Sequence, residues 1–551
     1  MTGSGASARR PHGIRGWIDA VVFDLARQMR WTFLPPLMVY FAAGFSGLTG
    51  IVGTFFVKEY LDLSAAYLAG LAFWAGLPWA LKMPLGHLVD IMWRWKWLLV
   101  YLGAGLIGLS MIIMYLVITQ TAMMEAIMPI NAWYITSFLL SPCGLVIQDA
   151  VADAMSVEAV PRVDAAGEPI PEEQSRALHV TMQTLGRFAL ISGTVAVAAM
   201  NIWMFRGIEA MDASAKAETY ATIYLLALSI PVVSVSGVVL AGIQKYRARH
   251  EMLRKGLSEA ETDALFERPD EDTKPNPWYF IGGGAFVALT LAVGLGQVPY
   301  GQEIVFAGSM TIVLLLMRQL IAVLTPAQAR ALIGTATIIF MFRAVPRPGD
   351  GIIWFNIDVL GFDQQFLSIL SLITSVLTLV GMVVLRPMMA SRPIVWIVAM
   401  LAVAGGVLTL PNIGLYYGIQ DITAPLTGGV VDARFIAILD TAVESPLGQV
   451  AMIPMLAWIA RNAPESLKAT FFAVMASFTN LALSASSLTT KYLNQIFIVT
   501  REVTDPATGA VSIPADYSQL GILLIVVTAI TVGVPLLVIW LVQHSRLRTE
   551  D

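Results

Sequence analysis

Apolar runs of about 20 residues recur along the whole chain, separated by short breaks that gather charge, glycine and proline. A run of that length crosses a hydrocarbon core as a helix. The pattern predicts fourteen spans, at 33–57, 65–85, 97–118, 128–148, 178–203, 219–242, 278–296, 303–323, 327–345, 364–385, 393–411, 433–460, 468–496 and 518–543. The run at 278–296 is the weakest, because it holds five glycines. The longest polar stretch, 243–277, carries seven basic residues and divides the chain as a central loop on the cytoplasmic side. A first six-helix bundle then covers 31–242, an extra transmembrane hairpin 278–323 and a second six-helix bundle 324–543, with a tail at 544–551. The predicted class is an all-α integral membrane protein.

Ahead of the first span, residues 1–30 hold Ile14, Trp17, Ile18, Val21, Val22, Leu25 and Met29 at helical spacing, with arginines at 15, 27 and 30. An amphipathic helix lying in the inner interface has this pattern, and so does a helix packed on the cytoplasmic face. Both readings stand.

Composition agrees with lipid as the main solvent. Apolar residues make up 57% of the 551 and charged residues 13%, against about 45–50% and about 25% in soluble domains. The single cysteine, Cys143, excludes a disulfide framework. The N-terminus lacks an apolar core followed by a small-residue cleavage site, so no cleaved signal peptide is expected. The 34 Lys and Arg residues give the orientation. Predicted inner loops and tails hold 24 of them, and the outer loops hold Lys58, Arg206, Lys216, Arg347 and Arg501. Lys82, Arg187, Arg343, Arg434 and Lys491 fall in or at the ends of spans. The asymmetry puts both termini in the cytoplasm and the chain in an inner membrane.

Several classes of function find no support. The five histidines are scattered without metal-ligand spacing. No phosphate-binding glycine loop or nucleophile elbow occurs. The expectation is no enzyme, no cofactor or metal, and neither ATP nor nucleic acid as a partner.

Ionisable groups inside a span are costly, which makes each a functional candidate. Asp440 and Glu444 stand one helical turn apart on one face of the span 433–460. Sharing a proton relieves the repulsion of two such carboxylates, which suits proton uptake and release. A purely structural pair, hydrogen-bonded to neighbouring helices or water, is the other reading. Arg187 lies in the fifth span near Gln183, and a buried guanidinium needs an anionic partner, from the protein or from a substrate. Arg343, Arg434 and Lys491 lie near outer span ends, where they can snorkel. Asp149 and Asp153, one turn apart at the inner end of their helix, suit a gate network with Lys82, Arg94 or Lys96. Asn480 and Ser477 share a helix face, for substrate contact or a helix–helix hydrogen bond. Trp133, Tyr134, Phe138, Phe340, Phe342, Phe471 and Phe472 could stack a flat heterocycle, though aromatic residues are common at membrane interfaces too.

The first inner loop reads Gly86-His87-Leu88-Val89-Asp90, then Arg94-Trp95-Lys96. It resembles the glycine–leucine–aspartate signature between the second and third helices of the major facilitator superfamily. Glycine there lets helices approach closely, and the aspartate can pair with a basic group on the neighbouring bundle. The wider set includes Pro78 through Gly86, Gln148 through Ala154, Phe342 through Phe355, Leu360-Gly361-Phe362, Ala460 through Glu465 and Thr470 through Leu481. Together these resemble the folate–biopterin transporter family of that superfamily, over roughly 33–242 and 327–496. The hairpin at 278–323 is extra to the usual twelve helices. The resemblance implies the major facilitator fold, two six-helix bundles rocking around a midplane site. It implies a secondary active, proton-coupled transporter for a small organic anion of folate or pterin type. Expected substrate contacts are Arg187, Gln183, Trp133, Phe138 and Asn480, with proton coupling at Asp440 and Glu444. Lys82, Gly86, Asp90, Arg94, Asp149 and Asp153 form the expected cytoplasmic gate. The partners are then an anionic small molecule and membrane lipid. A drug or other organic-solute transporter of the same fold remains an alternative, as does a non-transporting assembly or delivery factor.

Overall fold

The computed structural model describes residues 29–61, 63–160, 170–256, 258, 259, 262, 277–296, 298–322, 324–385, 388, 392–447, 468–504 and 511–548. The expected N-terminal amphipathic helix falls outside them.

The first two predicted spans are each interrupted. Helix α1 (Leu34–Phe45) tightens into a 3-10 turn at Ser46–Thr49 before α2 (Gly50–Tyr60). Helix α3 (Ala65–Gly76) does the same at Leu77–Leu81 before α4 (Lys82–Ile91), and Pro78 in that turn has no N–H to donate. A 3-10 turn leaves carbonyls without their usual donor four residues on. In both breaks an asparagine on another helix supplies one: Asn201 Nδ2 donates to Leu48 O at 3.4 Å, and Asn480 Nδ2 to Trp79 O at 3.2 Å.

The first half continues with α5 (Lys96–Thr119), α6 (Thr121–Ile127), α7 (Ile130–Glu158), α8 (Glu172–Met204), α9 (Ala213–Ala227) and α10 (Ser229–Arg254). Helix α10 outruns the predicted boundary at 242, because nothing breaks it before Gly256, which sits at φ 95°. Small residues bring these helices together, as expected where lipid gives little hydrophobic drive. A Cβ on Gly103 would lie 2.6 Å from Gly144 O, and one on Gly144 would lie 2.5 Å from Gly103 O. Any side chain at either position would push α5 and α7 apart.

Helices α11 (Pro277–Leu295) and α12 (Gly301–Ile321) pack on each other and follow the polar stretch. The second half holds α13 (Pro326–Arg343), α14 (Gly351–Asp358), α15 (Gln364–Val384), α16 (Ile394–Leu408), α17 (Leu410–Tyr416) and α18 (Ile419–Leu426). It ends with α19 (Ala433–Glu444), α20 (Lys468–Ile496) and α21 (Leu520–Gln543). A short antiparallel pair, Val503–Thr504 with Val511–Ile513, precedes α21. The halves meet where α3 packs on α20 and α8 on α15. Val305, Val313 and Met317 of α12 share one buried cluster with Phe73 of α3 and Met475 and Phe478 of α20. The α11–α12 pair is therefore built into the contact between halves.

Among the described residues, ten helices are long and apolar enough to cross a membrane. The runs at 65–85, 327–345, 433–460 and 468–496 are not among them. The first is cut by its 3-10 turn, and α13 carries Gln328, Arg330 and Arg343. Helix α19 ends at Glu444 before a 3-10 turn, Ser445–Leu447, and the rest of that run lies outside the described residues. Helix α20 has the length but is rich in Ser, Thr and Asn, which serve the contacts described next.

Candidate functional site

A charge cluster sits where α1, α4 and α7 converge. Lys82 Nζ lies 2.6 Å from Asp149 Oδ2 and 2.8 Å from Asp153 Oδ2. Tyr40 Oη donates to Asp153 Oδ1 at 2.7 Å. Arg187 of α8 is near enough for its charge to act on both aspartates, yet among the described residues it makes no hydrogen bond or ion pair. The spacing of Asp149 and Asp153 dictates this arrangement, since residues four apart share a helix face. Lys96 instead pairs with Glu158 at 2.7 Å. The side chains of Asp90, Arg94 and Gln183 lie outside the described residues. Among the described residues, no atom lies within 4 Å of where a Cβ on Gly86 would stand.

At the other end of α20, three side chains at successive helical turns hold the chain that follows α13. Ser486 Oγ donates to Val345 O at 2.6 Å, Thr490 Oγ1 accepts from Arg347 N at 2.9 Å, and Asn494 Nδ2 donates to Pro348 O at 3.1 Å. Gly349, at φ 82°, then turns the chain under Asn494, leaving a carboxylate, Asp350, immediately before α14.

Asp350 and Trp354 close a cavity of about 360 Å³ whose other walls come from α2, α3, α5, α7 and α9 of the first half. Tyr134 and Phe138 line it, with ring centroids 5.8 Å apart. Among the described residues, no basic side chain lines it. Among the described residues the Asp350 side chain has neither a hydrogen bond nor an ion pair. Burial pushes its carboxyl up to about 6. An unpaired, desolvated carboxylate favours a ligand that brings N–H donors or positive charge.

The other predicted residues are distributed. Asp440 is buried in α19, its Oδ2 accepting from Asn412 Nδ2 at 2.8 Å while Oδ1 has no partner. Glu444 is near enough for the two charges to act on each other, and Arg347 acts on Glu444. Trp133 Nε1 donates to Met124 O at 3.0 Å, holding α6 against α7. Phe138 is in the cavity, and Asn480 makes the helix–helix bond to Trp79 O already described. Arg434 reaches Gly361 O at 3.0 Å and Asp363 at 3.3 Å. The structure thus gathers Lys82, Asp149, Asp153 and Arg187 in one place and Phe138 in another. Asp350 was missed by sequence reasoning although it sits inside the Phe342 through Phe355 motif. The signal was available in Ser486, Thr490 and Asn494, which recur every fourth residue.

The profile of the BT1 family matches residues 43–551. A protein of Synechocystis sp. described as a folate-biopterin transporter is 22% identical over 461 residues, covering 82% of this chain and 72% of its own length. Among solved structures, a POT family transporter in complex with 5-aminolevulinic acid aligns with a TM-score of 0.60 at 13% identity, covering 94% of this chain and 96% of that one. A nucleoside transporter aligns with a TM-score of 0.52 at 11% identity, covering 92% and 98%. Those two likenesses speak to the fold alone, which is that of major facilitator-type transporters. Matched over nearly its whole length, and built in that fold, the chain belongs to the BT1 family as a membrane transporter and not an enzyme.

Proposed function

We propose that this protein is a proton-coupled secondary transporter for a small organic anion of folate or pterin type. In this reading fourteen spans form two six-helix bundles and the inserted α11–α12 hairpin, in an inner membrane with both termini cytoplasmic. The observation that carries it is the family match over residues 43–551, joined by the Synechocystis relative described as a folate-biopterin transporter. Two features of this chain support the finer points. Arg187 and Arg343 are guanidinium groups without a carboxylate partner among the described residues, as an anion site requires. Among the described residues, Asp440 and Glu444 form no ion pair, and Arg347 is the basic group whose charge acts on Glu444, which suits a proton carrier. In this reading the Lys82–Asp149–Asp153 cluster serves as part of the cytoplasmic gate, together with Gly86, Asp90 and Arg94.

Uptake of labelled biopterin and folic acid into proteoliposomes, with an inward-directed proton gradient, tests the reading. Accumulation above equilibrium that a protonophore abolishes is the expected result. Gradient-independent equilibration would remove the proton coupling, and no uptake of either solute would remove the substrate class.

A further inference from the structure

We propose that the cavity between α7 and Asp350 binds a flat nitrogen heterocycle by a two-donor N–H edge. The Asp350 carboxylate accepts both hydrogens, and Tyr134, Phe138 and Trp354 border the ring. This deepens the pterin reading and rests on it for the choice of ring.

Four observations carry the assignment. First, Asp350 stands apart from Asp149, Asp153, Glu158, Glu303 and Asp363, each of which is matched with a basic side chain. A carboxylate has two oxygens in one plane, and an amidine-type edge, such as that of a 2-aminopyrimidinone, presents two parallel N–H groups to it. Second, two of the lining hydroxyls are already engaged with each other's backbone: Ser110 Oγ donates to Ser137 O and Ser137 Oγ to Ser110 O. Third, the carboxylate is held in place by its backbone. The Ser486, Thr490 and Asn494 contacts fix 345–348, and Asp350 O accepts from Ile353 N and Trp354 N at the start of α14. Arg501 lies over the Trp354 ring, 5.6 Å from its centroid, which fixes that wall as well. Fourth, the cavity takes its aromatic pair from one half of the molecule and Asp350 and Trp354 from the other. A ligand there touches both halves, as a transported solute must. Among the described residues the lining holds no basic side chain, which suits the heterocyclic end of a solute and not an anionic tail.

The test is calorimetric titration of the full chain in lipid nanodiscs at neutral pH with four ligands. Biopterin and guanosine carry the two-donor edge, lumazine replaces the amino donor by an oxo group, and tyramine offers a simple ammonium. Biopterin and guanosine are expected to bind, with lumazine at least about tenfold weaker for want of one charge-assisted bond. Asp350→Asn should weaken biopterin by about 100-fold. Ser141→Phe, which fills the cavity without changing charge, should do the same in protein that elutes as a single species. Guanosine binding that depends on Asp350, without biopterin binding, would sustain the site and remove the pterin reading. Equal biopterin affinity in wild type and Asp350→Asn, or lumazine binding as well as biopterin, would overturn the site and leave the pterin reading standing. Preference for tyramine, or binding of neither ring, would overturn the site as well. Should Asp350→Asn not fold, the lumazine comparison on wild type decides alone.

Discussion

Glu303 of α12 accepts from Lys491 Nζ of α20 at 3.3 Å and from Tyr492 Oη beside it, while its neighbour Gln302 donates to Gly70 O of α3 at 3.0 Å. Two adjacent residues of α12 thus hold one helix from each half. If the halves separate at this end during transport, these bonds must break. A partly exposed ion pair of this kind is worth about 1 kcal/mol. Gln302→Ala with Glu303→Ala should therefore shift the population towards separation at this end by roughly fivefold. Distances between spin labels on α3 and α20 would show a growing long-distance fraction. An unchanged distribution would mean that the hairpin clamps nothing.

Asp350 gives a pH dependence of definite sign. Its carboxyl is pushed up to about 6 by burial, against about 4 in an unfolded chain. The folded protein therefore keeps a proton that the unfolded chain releases first. That contribution to stability is fully present below about pH 4 and is lost as pH rises to about 6. Replacing the group by Asn removes the dependence. Asp350→Asn should gain stability relative to wild type between about pH 4 and about pH 6, with no further change above. The other titratable groups lining the cavity, Tyr134 and Tyr224, are phenols that do not ionise in this window. Melting temperatures of both proteins across that range measure it, and a constant difference would show Asp350 to be solvated.

Some of this was legible before the structure, and the reason differs by residue. Asp149, Asp153 and Lys82 were readable as a group because a four-residue spacing in an apolar run has one geometric meaning. The interruptions at Ser46–Thr49 and Leu77–Leu81 were not, because hydropathy is blind to the difference between an α and a 3-10 turn. Asp350 was hidden for a related reason. A carboxylate in a Pro- and Gly-rich stretch reads as an exposed loop, and its burial depends on which side chains of α20 hold that loop down. Asn480 was expected to choose between substrate and a neighbouring helix, and it donates to Trp79 O inside a 3-10 turn that hydropathy does not reveal.

Lys82 balances two carboxylates at once, so its loss should cost more than the loss of either partner. Lys82→Met leaves Asp149 and Asp153 facing each other, with Arg187 as the remaining cation among the described residues whose charge acts on both. Each of these contacts is partly exposed, so each is worth about 1 kcal/mol. Adding Asp149→Asn to Lys82→Met should restore part of that loss, because the stranded charge is removed. Chemical unfolding of the two single variants and the double variant gives the coupling directly. Additive losses would mean that the close distances carry no energy. For the gate role, Lys82→Met should also raise labelling of introduced cysteines near the inner end of α7 from the cytoplasmic side.

The carboxylates of α19 separate coupling from binding. Asp440 already spends one oxygen on Asn412, and its second oxygen is buried without a partner, so Glu444 is the less constrained of the two. Glu444 also feels the charge of Arg347, whose backbone N–H is bonded to Thr490 on α20. If the pair carries the proton, Glu444→Gln should abolish accumulation driven by a pH gradient. Exchange of labelled for unlabelled solute should survive, since exchange needs no net proton movement. A purely structural pair has a different signature: less folded protein, or both activities lost together. Asn412→Leu refines the assignment. It removes the one hydrogen bond that Asp440 accepts, so it should move the pH at which uptake is half-maximal without abolishing uptake. Arg187→Ala serves as the contrast, weakening an anionic solute equally in both assays. Full pH-driven uptake in Glu444→Gln would place the proton on another group, and Asp350, a desolvated carboxylate without an ion pair among the described residues, would be tested next in the same two assays.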